Sequence, residues 1–352
     1  MGREPKYLWI ILLILVTLLA LAGCGPVGGA EGPAAVPGEN SRAGADEGEA
    51  AVLTLPELEA ADLDGGKLRV GATTSIIGDV VGRVGGDAIE LTTLMGPGQD
   101  SHTYEPAARD LTAAASAHVI FVNGWDLEEG LITSLANVAG ATPLVPISAN
   151  VAPLALGEEG EEDEHEGDEY THEGADPHVW LNPHFVEQWV ENVEHVLGEL
   201  DPVNVARYES NAGAYLAELE ELIAYYDAQV ASIPQERRKL VTNHEALAYF
   251  ARQYGFEVIG TVIPSTSTVA EPSASGLVEL VQTMREAGVC TIFAETTANP
   301  RLLETVIAEL DNCETVQVLT LYTEAIGPAG SGADSYIGMM RENVDTIVAG
   351  LR

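Results

Sequence analysis

A strand-then-helix rhythm, repeated on either side of one long helical stretch, constrains this chain most. In the first half, short apolar runs with strand spacing cover 67–72, 89–94, 119–122 and 143–147. Helical spacing follows them from Ser75, from Pro106 to Ala117 and from Leu127 to Val138, with Pro106 placed to open its helix. The second half repeats the pattern. Strands are expected over 239–243, 257–263, 291–294 and 315–321, and helices over 245–254, 273–287, 300–310 and 335–351. Between the halves a helix covers 184–200, and a longer one runs from Asp201-Pro202 to about Ser232. The longer helix carries Tyr208, Tyr215, Leu219, Leu222 and Tyr226 on one face. Strands that alternate with helices need crossover connections, so both sheets should be parallel. The expected fold is α/β: two similar doubly wound domains, 67–200 and 234–352, joined by a long linking helix over 201–233, with a cleft between them.

The N-terminus is composed differently. Arg3 and Lys6 precede an apolar run from Leu8 to Ala22, too short for a good membrane-spanning helix. The run ends in Leu21-Ala22-Gly23-Cys24, which resembles the lipobox of bacterial lipoproteins. That resemblance implies a signal peptide over 1–23, cleavage before Cys24 and a lipid on its sulfur. Residues 24–66 are rich in Gly, Ala, Pro and Glu and are expected to be a flexible tether. The mature protein should then be exported and anchored on the outer face of the cell membrane, periplasmic or at the cell surface. An oxidising compartment permits a disulfide. Cys290 and Cys313 both precede predicted strands, and a bond between them is expected.

Acidic residues number 55 against 16 basic ones, a formal net charge of −39. Nucleic acid is therefore excluded as a partner, because phosphate binding needs basic patches. Cations are favoured, although such acidity also serves solubility or a salty habitat. The charge is densest in 157–174, where Glu and Asp surround His165 and His172 and almost nothing is apolar. That stretch cannot pack and should be a solvated loop. Directly after it, His178 sits in Asp176-Pro177-His178-Val179-Trp180-Leu181-Asn182-Pro183, a segment stiffened by two prolines.

In doubly wound sheets, ligands bind beyond the carboxyl ends of the strands. Four metal-competent side chains follow predicted strands: His102, His178, His244 and Glu324. Three imidazoles and a carboxylate suit tetrahedral Zn²⁺, and nitrogen and oxygen donors do not exclude Mn²⁺ or Fe²⁺. An enzyme is not expected. His244-Glu245 begins like a zinc-protease motif, but Ala248 stands where its second histidine belongs. His172-Glu173 fails likewise at Asp176, and no phosphate-binding loop or nucleophile elbow is present.

From Arg69 onward the chain resembles the substrate-binding lipoproteins of zinc and manganese ABC transporters, the cluster A-I metal-binding proteins. The resemblance is carried by Val70-Gly71-Ala72-Thr73-Thr74-Ser75-Ile76-Ile77-Gly78-Asp79, Ser101-His102-Thr103-Tyr104-Glu105-Pro106, Asp176 to Pro183, Val241 to Phe250, Glu271-Pro272-Ser273 and Tyr336 to Asn343. It implies His102, His178, His244 and an acidic residue as ligands. It also implies a membrane permease as partner, capture and delivery of the ion as function, and a long helix that restricts opening. Histidine at the third position, His244, points to zinc over manganese. A metal-binding surface adhesin is the alternative role. Zinc importers of this kind often carry a His- and acid-rich insertion, so 157–174, with His165 and His172, is expected to gather ions. Two departures stand out. Ser101 replaces the usual proline before the first histidine, and Glu324-Ala325-Ile326 replaces the usual Asp-Ser-Leu. Glu295 is a further acidic candidate, as a support behind the ligands or as an alternative to Glu324.

Overall fold

The structure, a computed structural model, describes residues 51–138, 140, 142–156, 174–297 and 300–352. The expected signal peptide, Cys24, the first part of the tether, and the acidic stretch with His165 and His172 lie outside the described residues. Among the described residues no helix is long and apolar enough to cross a membrane.

The described residues form one compact unit built on two parallel four-stranded sheets. The first comprises β1 (Leu68–Ala72), β2 (Ile89–Thr93), β3 (Val119–Val122) and β4 (Leu144–Pro146), in the order β2-β1-β3-β4. The crossovers run through α1 (Ser75–Gly85), α2 (Ala108–Ala115) and α3 (Glu129–Val138). The Thr74 hydroxyl accepts from the Ile77 N–H and caps α1. Helix α1 lies so close to β2 that a methyl group at Gly78 would run into Thr93.

Two helices then cross the middle of the chain. In α4 (Pro183–Leu200) the Asn182 side chain accepts from the His184 N–H, and Pro183 sits in the first turn, where its missing N–H costs nothing. Helix α5 (Val205–Val230) buries a single stripe of Tyr208, Ala212, Tyr215, Leu219, Leu222, Tyr226 and Val230. The second sheet comprises β5 (Lys239–Thr242), β6 (Glu257–Thr261), β7 (Thr291–Glu295) and β8 (Gln317–Leu321), in the order β6-β5-β7-β8. Its helices are α6 (Ala248–Tyr254), α7 (Ala274–Ala287), α8 (Pro300–Glu309) and α9 (Tyr336–Leu351). Strand order is the same in both sheets, so each has its switch point between the first and third strands, at their carboxyl ends.

Helix α5 packs on α1 and α4 from the first half and on α9 from the second. The Tyr226 hydroxyl donates to the Met340 carbonyl at 2.6 Å, and Tyr225 donates to Asp345 at 2.6 Å. One continuous core takes Leu68, Val80 and Trp189 from one side and Phe250, Met339 and Val348 from the other. Separating the halves would expose that apolar area, which opposes wide opening. A disulfide joins Cys290 and Cys313, which lead into β7 and β8, at the end of the second sheet away from its strands' carboxyl ends.

Several element boundaries differ from the sequence expectation, each for a local reason. Helix α2 begins at Ala108 and not at Pro106. The Asp110 carboxylate accepts the Ala107 N–H at 2.9 Å and the Tyr104 hydroxyl at 2.8 Å, which keeps the intervening residues extended. Helix α6 begins at Ala248 and not at Glu245, because the Glu245 N–H is donated to the Ser265 carbonyl on the neighbouring loop. Residues 51–63, expected within the tether, lie against the body of the protein. Leu55, Leu58, Ala61 and Leu63 pack on the main core, the Asn150 N–H donates to the Leu53 carbonyl at 2.8 Å, and the Ala61 N–H donates to Leu200 at 2.9 Å. Spaced leucines override a composition that by itself reads as linker.

Candidate metal centre

Each of the four side chains singled out at strand ends is delivered by a loop that leaves the carboxyl end of a sheet. His102 lies in the loop after β2, His178 after β4, His244 directly after β5 and Glu324 after β8. All four are buried, with His102 the least so at 6% exposure. The structure brings them together from both halves of the fold. The Nε2 atom of His178 lies 3.3 Å from that of His102 and 3.2 Å from that of His244. The Glu324 Oε1 atom is 3.4 Å from the Nε2 atoms of both His178 and His244, and its Oε2 is 3.8 Å from that of His102. Tetrahedral coordination with bonds of about 2.0–2.1 Å has edges of about 3.3–3.4 Å. The separations of 3.2 to 3.4 Å match such edges, while that between His102 and Glu324, 3.8 Å, is longer.

Two of the rings are held from behind. The Asp176 Oδ1 atom accepts both the backbone N–H of His178 at 2.9 Å and its Nδ1–H at 2.7 Å. Glu295, the last residue of β7, does the same for His244, at 3.1 Å and 2.7 Å through Oε1, while its Oε2 accepts the Thr323 hydroxyl at 3.0 Å. A ring that donates through Nδ1 turns its Nε2 towards the centre. Glu295 therefore stands behind His244 and outside the cluster of four. His102 is held differently. Its backbone N–H donates to Asp100 at 2.9 Å, and among the described residues no carboxylate takes its Nδ1.

These surroundings set the charges. Burial pulls the His178 imidazole down, but Asp176 and Glu324 outweigh it and raise its pKa to about 9. Burial is likewise outweighed at His244 by Glu295 and Glu324, and its pKa rises to about 10. At His102 burial wins over the attraction of Glu324, and the pKa falls to about 4. Burial pushes Glu324 up, yet the attraction of the facing imidazoles of His178 and His244 holds it well below the usual carboxylate range. The carboxylates thus favour the charged forms of His178 and His244, and the imidazoles favour the charged form of Glu324.

The loops are fixed by buried partners. Tyr249 donates to the Asp176 carbonyl at 2.7 Å, and the Asn123 amide donates to the Pro177 carbonyl at 2.9 Å. The Asn123 N–H is itself accepted by Glu128 at 2.8 Å, a buried carboxylate that also accepts the Thr73 hydroxyl. Trp180 packs on the His178 ring and donates to the Thr323 carbonyl of the other half at 2.7 Å. Sequence reasoning left Asp176 and Ser101 without roles. The one signal that pointed to Asp176 was its place two residues before a histidine. The remaining described histidines stand apart: His118 accepts the Arg69 N–H at 2.9 Å, and His184 and His195 face Glu187 and Glu199 at 3.5 Å.

Comparison with known proteins places this geometry in context. Residues 70–350 match the family described as zinc-uptake complex component A, periplasmic. The chain is 35% identical over 289 residues to the manganese-binding lipoprotein MntA of Halalkalibacterium halodurans, covering 82% of this chain and 90% of that protein. It is 33% identical over 288 residues to the zinc-binding protein TroA of Treponema pallidum, covering 81% of this chain and 89% of that one. The structure of the periplasmic zinc-binding protein TroA superposes with a TM-score of 0.71 at 31% identity, over 81% of this chain and 99% of TroA.

Proposed function

The chain belongs to the ZnuA family of metal-binding, substrate-binding proteins of ABC transporters, and from that premise we propose that it captures Zn²⁺ outside the cytoplasm and delivers it to a membrane permease. The observation that carries the proposal is the buried constellation itself: three imidazole Nε2 atoms and one carboxylate oxygen, 3.2 to 3.4 Å from His178 and its partners, all facing one point. His102, His178, His244 and Glu324 are its ligands. Asp176 and Glu295 orient two of the rings. Zinc is favoured over manganese by a donor set of three nitrogens and a single carboxylate, which fits a four-coordinate ion better than one that prefers more oxygens.

The ligands come from loops of both halves, so the bound ion ties the halves together. Loading and release must pass between those loops, past the Asp100–Thr268 hydrogen bond of 2.7 Å that bridges them at the rim. The shared core along α5 limits how far they can part. A lipid on Cys24 tethers the protein close to its permease, and the acidic stretch with His165 and His172 raises the local ion concentration before capture.

The test is a zinc titration of the full chain and of His178→Ala. The wild type should bind one ion tightly at this centre, and the variant should lose more than about 100-fold in affinity, beyond what loss of a supporting partner costs. Unchanged tight binding in the variant would place the transported ion elsewhere.

A further inference from the structure

We infer that Ser101 determines how many oxygens Glu324 gives to the ion, and that this pair biases the centre towards four-coordinate cations. The inference rests on the capture function proposed above and concerns which cation that centre prefers.

Ser101 is 2% exposed and immediately precedes His102. Its hydroxyl donates to the Oε2 atom of Glu324, a contact made across the two halves. The other oxygen, Oε1, is buried with no hydrogen-bond partner at normal distance and faces the Nε2 atoms of His178 and His244, 3.4 Å from each. One carboxylate therefore has two unlike ends. The first is engaged by a hydroxyl proton and lies 3.8 Å from the His102 Nε2. The second makes no close hydrogen bond and faces the His178 and His244 Nε2 atoms across 3.4 Å. An ion at the centre would give it a close partner.

The Ser101 proton occupies one lone pair of Oε2 and draws charge from that oxygen, which disfavours chelation through both oxygens. With the hydrogen bond kept, Glu324 binds through Oε1 alone and the centre offers three nitrogens and one oxygen, the number Zn²⁺ takes in closed sites. A cation that prefers more oxygen ligands, such as Mn²⁺, is left short of one. Both members of the pair sit where this chain departs from the resembled pattern, serine for proline and glutamate for aspartate. Proline has no hydroxyl to donate, and aspartate is one methylene shorter. The two changes thus complete one interaction, and neither makes it alone.

Co²⁺ gives a direct readout, because the intensity of its visible d–d absorption separates four-coordinate from five- and six-coordinate sites. The full chain loaded with Co²⁺ should show the intense four-coordinate band. Ser101→Ala should show a weaker one, and Ser101→Thr, which keeps the hydroxyl, should restore it. In competition titrations the Zn²⁺-over-Mn²⁺ preference should fall about 10-fold in Ser101→Ala and be retained in Ser101→Thr. Glu324→Asp, which withdraws the carboxylate from the hydroxyl, probes the same contact from the other side and should weaken the band as well. An equally intense band and an unchanged metal preference in Ser101→Ala and Glu324→Asp would overturn the inference, as would a weak band in the wild type. Failure of the wild type to bind Co²⁺ or Zn²⁺ at all would instead overturn the capture function.

Discussion

Two loops of this molecule share the spacing aspartate, one residue, histidine, yet they present their rings in different ways. In Asp176-Pro177-His178 one aspartate oxygen accepts both the backbone N–H and the ring Nδ1–H, and the imidazole is fixed and raised to about 9. In Asp100-Ser101-His102 the aspartate accepts the backbone N–H through one oxygen and the Thr268 hydroxyl of the opposite half through the other. No carboxylate takes the His102 Nδ1 among the described residues, and burial lowers the ring to about 4. The same short pattern thus builds a braced ligand in one loop and a latch between the halves in the other. His178 and His244 form the fixed floor of the centre. His102 differs from both in being neutral at neutral pH and in having no carboxylate behind its ring among the described residues.

The contrast can be broken by substitution. Asp176→Ala should reduce zinc affinity by about 10- to 100-fold, because the His178 ring loses the partner that sets its orientation and tautomer. Asp100→Ala should cost only a few-fold in affinity and act mainly on the dissociation rate, measurable by chelator chase. Equal losses in the two variants would erase the distinction between brace and latch.

Protonation separates the same regions. The raised values of His178 and His244 favour their protonated forms without an ion, so ion binding at pH 7 should release protons. Calorimetry in buffers of different ionisation enthalpy measures this, and zinc affinity should fall as pH is lowered. For the ion-free fold the signs are opposite in the two regions. The raised values of His178 and His244 give stability that is fully present below the unfolded pKa of about 6.5 and is lost as pH rises through about 9 to 10. The lowered value of His102 gives stability present above about 6.5 and lost as pH falls towards about 4. Ring resonances followed by NMR in the ion-free protein should show His102 neutral at pH 6 while His178 is still charged at pH 8.

The smallest effect on binding should come from the far end of the second sheet. Replacing Cys290 and Cys313 by alanine opens a link across 23 residues and should lower stability by about 3 kcal/mol in denaturant unfolding. Zinc affinity should hold within about two-fold, since the disulfide lies at the strand starts and the ligands at the strand ends. A large loss of affinity would mean that the second half moves as a less rigid body than its packing suggests.

The fold was largely legible in the sequence because short apolar strands and 3.6-residue helical spacing are local signals. The boundaries that shifted did so where a side chain or a distant loop took over a backbone group, as Asp110 does before α2 and Ser265 does before α6. The four converging side chains were also legible, since each follows a strand and strand ends converge in doubly wound sheets. The supports were legible only in part. Glu295 stood out as an acidic candidate, but its pairing with His244, 51 residues away, did not, and Asp100 and Asp176 look alike until tertiary packing decides which oxygen meets which proton. The packing of residues 51–63 was hidden for the opposite reason: a linker-like composition concealed a few well-spaced leucines.

The central claim is that one divalent ion sits where His102, His178, His244 and Glu324 converge. Anomalous diffraction from crystals of the full chain grown with equal Zn²⁺ and Mn²⁺, recorded on both sides of each absorption edge, tests it most directly. The account predicts a single zinc-edge peak bonded to the Nε2 atoms of the three histidines and to Oε1 of Glu324. A peak at another group of side chains, or a manganese-edge signal chelated by both Glu324 oxygens, would contradict it.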